Sequence, residues 1–355
     1  MTDLPPPDGH RPDPDDRDPD DRNPRDRRPV APGPKGSVKA SAFAALDPRL
    51  AGVAAGLASA VLTGAVVVGL PFGTALYFFA ALPVLFVGFS HGPLAAVVAA
   101  AVGALAMGVV AGPLAALTAA ATAGVPAAYA AYLVGLARPA DELGGPADGM
   151  AWYPLADVLL RVCLTVAAGS VAIGVAVGYG TETIGALLAE AVGDQPLDPE
   201  LAAQGLTPEA IATYVTALVP IAQPFGAVLV IVGNLYLAIG AARRRGLIGR
   251  PADDMALALR LPTVALPIFG VALALSFLDG PVAYAARAFA GALAAGFTIA
   301  GYAILHLRLR GSTARTPILL AVYLGTAIFS LPAFVMLGMG LFSTARAVPI
   351  SKRKT

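Results

Sequence analysis

Few side chains in the apolar part of this sequence can do chemistry, and the clearest are two of opposite charge. Asp157 and Arg161 are four residues apart, so on a helix they share one face and can neutralise each other. Trp152 and Tyr153 precede them and are typical of a membrane–water interface. The spacing predicts an intramembrane ion pair close to the start of a membrane helix.

Two uncharged amides, Gln223 and Asn234, lie in a longer apolar stretch. A buried amide costs less free energy than a buried ion, and it can both donate and accept hydrogen bonds. It can therefore join two helices or orient an uncharged or weakly polar solute. We predict these two residues as candidate ligand-binding residues, with hydrogen bonding between helices as the alternative.

The sequence predicts no metal, cofactor or nucleotide chemistry. None of the three histidines, His10, His91 and His306, has a second histidine or a carboxylate at helical ligand spacing. A single cysteine, Cys163, cannot form an intramolecular disulfide or a cysteine-based zinc site. No glycine-rich loop ends in Lys followed by Ser or Thr, the pattern that holds nucleotide phosphates. We therefore expect no enzyme activity, no metal and no cofactor.

Composition predicts the elements that must position these residues. The chain is 57% hydrophobic and only 13% charged, and its mean hydropathy of +0.72 exceeds what a water-facing globular surface allows. Its formal net charge of +1 argues against a nucleic-acid partner, because phosphate binding needs a concentrated basic face. The expected partner is the lipid bilayer. The expected fold is all-α, a polytopic bundle of transmembrane helices.

Apolar runs long enough to cross a hydrocarbon core of about 30 Å follow one another between residues 46 and 345. Two runs, 75–90 and 262–278, are short and contain proline, so we expect each to be tilted, broken or re-entrant. Pro332 interrupts the last run, which leaves eight or nine spans open. The predicted spans lie near residues 50–70, 75–90, 94–111, 114–137, 155–179, 214–241, 262–278, 282–306 and 317–342.

Charges in the loops and tails predict the orientation in the membrane. Residues 1–45, rich in Pro, Asp and Arg, are predicted to form a disordered cytoplasmic tail. The loop from Arg243 to Arg250 is expected inside, and the acidic, cation-free loop 180–213 outside. The basic tail 346–355 conflicts with this scheme, because a ninth crossing would place it outside. Either the charge rule fails there or one segment does not cross.

The first span carries a row of small residues, which recur every four positions and therefore lie along one helix face. Helices in lipid associate through close packing, so such a face predicts a contact between helices. The partner helix can belong to this chain or to another membrane protein. The row consists of Gly52, Gly56, Ala60 and Gly64.

One part of the sequence resembles a known family. The resemblance rests on the stretch LYFFAALPVLFVGFSHGPLAAVVAAAVGALAMGVVAGPLAALTAAATAGVPAAYAAYLVGLAR, which ends at Arg138, and on the later WYP of Trp152 to Pro154. These segments resemble the YybS-like uncharacterised membrane proteins of bacteria. That family is similar to the substrate-binding S components of energy-coupling-factor transporters, which share a proline, a Gly-Pro turn such as Gly92 and Pro93, and a glycine-rich helix. The resemblance extends from about Leu50 to Ala241.

The resemblance implies a subunit of the bacterial inner membrane that binds a small solute from outside while separate subunits supply the energy. About three further spans and the long acidic loop distinguish this sequence from S components, so no vitamin-contacting residue is carried over. The alternative is a non-catalytic scaffold of the cell envelope that binds partner proteins. A polar outward-facing cavity among the second to sixth spans would favour the first function, and a solid bundle the second.

Overall fold

The computed structural model describes residues 46–146, 148–180, 183, 186, 208–329 and 331–346. The predicted tail 1–45, most of the acidic loop 180–213 and the basic tail beyond Arg346 lie outside these residues. The described part is helical apart from its loops and one small two-stranded sheet. The predicted all-α class is therefore confirmed for this part of the chain.

The helices and strands follow each other in this order along the described residues. The helices are α1 (Pro48–Val67), α2 (Gly73–Tyr77), α3 (Leu82–His91), α4 (Pro93–Ala111), α5 (Pro113–Ala119), α6 (Val125–Gly135), α7 (Leu155–Val177), α8 (Pro208–Arg244), α9 (Met255–Ala258), α10 (Ala265–Leu275), α11 (Gly280–Arg308), α12 (Arg315–Phe329) and α13 (Leu331–Ala345). A π-helical turn, Ala120–Gly124, joins α5 to α6. Between α6 and α7, strands β1 (Ala137–Pro139) and β2 (Met150–Trp152) pair antiparallel and flank a short 3-10 helix, Asp141–Leu143.

Seven helical segments are long and apolar enough to cross a membrane, and the bent pair α12–α13 would be an eighth if it forms one span. The seven are Pro48–Val67, Gly73–His91, Pro93–Ala111, Pro113–Gly135, Leu155–Val177, Ala210–Arg244 and Gly280–Arg308. They match seven predicted spans closely. The predicted span 262–278 forms only the 11-residue helix α10, which is about 16 Å long and cannot cross by itself.

Gly-Pro pairs set the boundaries of α3, α4 and α5. Gly92 and Gly112 adopt φ angles of 87° and 88°, in a region that side chains rarely allow, and each directly precedes the first residue of the next helix. Pro93 and Pro113 then occupy the first helical turn, where the missing N–H group has no helical partner to lose. A single residue can therefore end one membrane helix and start the next.

Helix α1 runs parallel to α4. Gly52 lies against the carbonyl of Ala95, and Gly56 lies one turn further on against the carbonyl of Ala99. Both glycines are buried. Because α1 and α4 point the same way, the broken segment α2–α3 between them returns across the bundle.

Helices α8 and α11 also run parallel. The segment that connects them, from Arg245 to Asp279, contains no helix long enough to cross the membrane by itself. Gly291 of α11 lies against the carbonyl of Ile221 in α8. Further along, Gly233 and Ala303 line the same cavity, so positions on both helices advance together. The connecting segment must therefore return from one end of the bundle to the other.

The returning segment is a buried loop followed by α10. Leu261 is 3% exposed and lies close to Gly296, in the middle of α11. Arg250 anchors the loop: it pairs with Asp253 at 2.6 Å and donates to the backbone carbonyls of Tyr153, at 2.9 Å, and Val134, at 3.4 Å. These bonds satisfy an arginine that is only 4% exposed. The predicted crossing at 262–278 is thus made partly by loop.

The last two helices form a hairpin bent by 117° between Phe329 and Leu331. Gly301 of α11 and Gly340 of α13 each lie against a carbonyl of the other helix, which brings the two helices into close contact. Arg346, just after α13, lines a cavity together with Arg308. Arg315, at the start of α12, lies at that same end beside His306 and Arg310. Both ends of the hairpin therefore lie at one end of the bundle, which we call the arginine-rich end.

Candidate functional site

The predicted ion pair is not formed. Arg161 donates from Nε to the hydroxyl of Tyr153 at 2.7 Å and from Nη1 to the hydroxyl of Tyr129 at 3.3 Å. Among the described residues, salt bridges join only Arg250 to Asp253 and Arg310 to Asp254. The expected pairing of Asp157 with Arg161 is corrected accordingly, because two tyrosine hydroxyls bind the guanidinium instead.

The two predicted amides differ in environment. Asn234 is 3% exposed, and its Nδ2 donates to the carbonyl of Phe78 at 2.6 Å and to that of Val230 at 2.8 Å. Phe78 lies in the break between α2 and α3, so Asn234 ties α8 to the broken segment. Gln223 is partly buried. Neither amide lines the five cavities found among the described residues.

The small-residue row of α1 packs inside this chain. An added Cβ at Gly52 would lie 2.7 Å from the Ala95 carbonyl, and one at Gly56 would lie 2.6 Å from the Ala99 carbonyl. At Gly64 the nearest atom would be the sulfur of Met107, at 3.7 Å. Ala60 is partly buried on the same helix. The close contact is therefore formed at the Gly52 and Gly56 end of the row, against α4.

A cavity with both apolar and polar walls lies between α8, α11 and α12, close to the arginine-rich end. Its volume is about 580 Å³, within the range usual for small-molecule sites. We call it the tyrosine cavity. It is lined by Leu229, Val232, Gly233, Tyr236, Asp254, Met255, Ala256, Leu259, Ile299, Tyr302, Ala303, His306, Arg310, Arg315 and Tyr323.

Hydrogen bonds fix the aromatic wall of the tyrosine cavity. The rings of Tyr302 and Tyr323 stack with centroids 5.0 Å apart and an angle of 5° between their planes. His306 Nε2 lies 2.9 Å from the Tyr323 hydroxyl, and the Tyr302 hydroxyl lies 2.5 Å from Thr326 Oγ1. The wall therefore joins α11 to the last hairpin, and it presents flat rings with hydroxyl groups held in place.

Charged groups also line the cavity. Arg310 forms a two-bond salt bridge with Asp254, in which Nη1 donates to Oδ2 at 2.6 Å and Nη2 donates to Oδ1. This guanidinium holds the pKa of Asp254 below its ordinary value of 3.8. Arg315 also lines the cavity, and no salt bridge joins it to a described residue. The cavity therefore carries more positive than negative charge.

Sequence reasoning missed this cavity, because its polar residues come from distant segments. His306 and Tyr323 are in different helices, and Asp254 follows a loop whose burial the sequence did not predict. Tyr302 and His306 are four residues apart and share one face of α11. That spacing was the available signal.

Comparisons with known proteins give no functional assignment. No family model, no curated protein and no solved structure matches this chain. Within the described residues, no group of three or more His, Cys, Asp or Glu side chains is arranged to hold a metal ion. The apolar helices are those of a multi-pass integral membrane protein, and a more specific function rests on the site alone.

Proposed function

We propose that this multi-pass membrane protein is a non-catalytic, solute-binding subunit of a bacterial inner-membrane transporter, and that the tyrosine cavity is its binding site. The observation that carries the proposal is a cavity of about 580 Å³ that is lined by an ordered aromatic wall and by charged groups. Other subunits would supply the energy, as the resemblance to S components implies. This site replaces the predicted one at Gln223 and Asn234.

The walls of the cavity favour a small amphipathic solute. Val232, Leu259 and Ile299 offer apolar surface, and the stacked tyrosines offer a flat face to a ring or an alkyl body. Arg315 can donate hydrogen bonds to an acceptor or an anionic group of the solute. We therefore favour a solute with one apolar part and one hydrogen-bond-accepting part over the uncharged solute expected from the amides.

The internal use of the small-residue row favours this function over the scaffold. A scaffold needs helix faces that remain free for partners, and the most distinctive small-residue face in the sequence packs against α4 of the same chain. A solid bundle was the other expected mark of a scaffold. The bundle instead contains a cavity of small-molecule size. Its place differs from the prediction, because it lies between α8, α11 and α12 at the arginine-rich end and not in an outward-facing position among the second to sixth spans.

The proposal can be tested by filling the cavity. Gly233 lines it, and a Cβ added there would meet no atom within 4 Å, so Gly233→Leu places a side chain in open space. Gly226, on the same helix, has equally open surroundings and lines none of the five cavities. Gly226→Leu is therefore the matched control.

Each protein is purified in mild detergent from its own membranes, and native mass spectrometry records the small molecules that it retains. Wild type and Gly226→Leu should carry a common adduct of small-molecule mass, and Gly233→Leu should lose most of it at equal recovery of folded protein. Equal adducts in all three proteins would exclude the tyrosine cavity as the site. Recovery of partner proteins without any small molecule would favour the scaffold.

A further inference from the structure

A second cavity at the arginine-rich end lies between α11 and α13 and is unlike the tyrosine cavity. Its volume is about 870 Å³. We call it the arginine cavity, because three arginines from three different segments line it. Its lining residues are Arg260, Ile304, Arg308, Gly338, Met339, Phe342, Ser343 and Arg346.

The three guanidinium groups of the arginine cavity have no carboxylate to neutralise them within the described residues. No acidic residue lines the cavity, and the salt bridges of the described chain involve Arg250 and Arg310 instead. The Nε of Arg260 is buried and has no hydrogen-bond partner. A buried donor without an acceptor destabilises the folded protein. The site therefore lacks an anionic acceptor.

Helix packing brings these arginines together. Close contact at Gly301 and Gly340 sets α13 alongside α11, which places Arg346 beside Arg308. Arg260 follows the buried loop, just before Leu261, which packs against the middle of α11. Like charges assembled in this way repel each other, and a bound anion would offset that repulsion.

We propose that the arginine cavity binds the phosphate group of an anionic phospholipid. Guanidinium groups match phosphate oxygens with paired, charge-assisted hydrogen bonds. Basic pockets between membrane helices, at the side of the membrane with cationic loops, are typical sites for such headgroups. The inference does not depend on the solute proposed for the tyrosine cavity.

The apolar walls of the arginine cavity favour a lipid over free phosphate. Ile304 and Met339 line the cavity beside the arginines. Phe342 also lines it and is 60% exposed, so the cavity is accessible from the surface of the bundle. The guanidinium of Arg346 lies 4.2 Å from the centre of the Phe342 ring. An acyl chain can pack along these residues while the phosphate reaches the guanidinium groups, and inorganic phosphate would leave the apolar part of the cavity empty.

The test compares lipid binding by arginine variants of the full-length protein. Arg260→Gln and Arg308→Gln each remove one charge from the cavity. Arg138→Gln is the matched control, because Arg138 is exposed in β1 and lines none of the five cavities. Delipidated protein is incubated with phosphatidylglycerol, with phosphatidylcholine or with inorganic phosphate, and native mass spectrometry counts the bound molecules.

Wild type and Arg138→Gln should retain phosphatidylglycerol at least about threefold better than phosphatidylcholine, and both cavity variants should lose most of that preference. Equal retention of phosphatidylglycerol in all the variants would overturn the proposal. If inorganic phosphate, at the same concentration as the lipid, prevents the uptake of phosphatidylglycerol, the bound group is free phosphate and the proposal of a lipid ligand is overturned. Arg308 is exposed, so Arg308→Gln decides the outcome if Arg260→Gln does not fold.

Discussion

The close approach of α1 and α4 provides a sharp test of the packing, because it depends on the absence of one methyl group. At Gly56 an added Cβ would lie 2.6 Å from the Ala99 carbonyl and 2.8 Å from Val102 Cβ. Carbon atoms prefer separations of about 3.5–4.0 Å, so Gly56→Ala must move the two helices apart by about half an ångström or more. We expect this variant to be destabilised.

The magnitude follows from a matched substitution on the same helix. At Gly64 an added Cβ would meet only the sulfur of Met107, at an ordinary 3.7 Å. Both changes gain about 1 kcal/mol from the higher helix propensity of alanine. Their difference therefore isolates the clash, for which overpacking of a close-packed interior costs about 1–3 kcal/mol. Gly64→Ala should be neutral or stabilising, and Gly56→Ala should be less stable than Gly64→Ala by that amount.

The assay is equilibrium unfolding in mixtures of dodecyl maltoside and sodium dodecyl sulfate, followed by circular dichroism. It reports the free energy of unfolding for wild type and for both variants under identical conditions. If Gly56→Ala and Gly64→Ala shift this free energy equally, the contact between Gly56 and Ala99 does not limit the packing. The parallel arrangement of α1 and α4 would then have to be abandoned.

Two further predictions concern the arginine-rich end. The first is tested with single cysteines in a background without the native cysteine. Ser312→Cys and Arg346→Cys should show the same accessibility to an impermeant maleimide in intact cells, and Asp279→Cys should show the opposite accessibility. Opposite labelling of Ser312→Cys and Arg346→Cys would show that the last hairpin crosses the membrane. Because Arg310 lowers the pKa of Asp254, the stabilising contact is present at neutral pH and is lost as the pH falls through that lowered pKa. The difference in thermal midpoint between wild type and Asp254→Asn should therefore be constant from about pH 8 to pH 5 and should vanish in stronger acid. A difference that does not depend on pH would show that the ionised Asp254 does not stabilise the protein through Arg310.

The membrane helices were predictable because one physical quantity, apolar length, decides them. The bilayer requires about 20 apolar residues for each crossing, and the predicted runs 94–111 and 155–179 correspond to Pro93–Ala111 and Leu155–Val177. Gly-Pro pairs such as Gly92 and Pro93 added precise ends, since the backbone conformation there depends on these residue types alone.

The failure of the predicted ion pair has a tertiary cause. A spacing of four residues allows Asp157 and Arg161 to meet, but it does not show what other helices bring to the same place. Tyr153 and Tyr129 offer hydroxyl acceptors to the guanidinium, and Tyr129 belongs to another helix, α6. Similarly, the sequence identified Asn234 as a polar residue among helices, while its bond to Phe78 depends on the break between α2 and α3.

The direction of the helices explains the conflict over the last segment. Since α8 and α11 run parallel, the chain from Arg245 to Asp279 has to return across the bundle, although its only apolar helix of any length, α10, has 11 residues. Counted with α1 and α11 themselves, the chain then passes across the bundle eight times from Pro48 to Arg308. Because the number is even, Pro48 and Arg308 lie at the same end. The hairpin α12–α13 begins at that end with Arg315 and finishes there with Arg346. With this geometry, every arginine loop and the start of the basic tail face the same side, so the charge rule needs no exception.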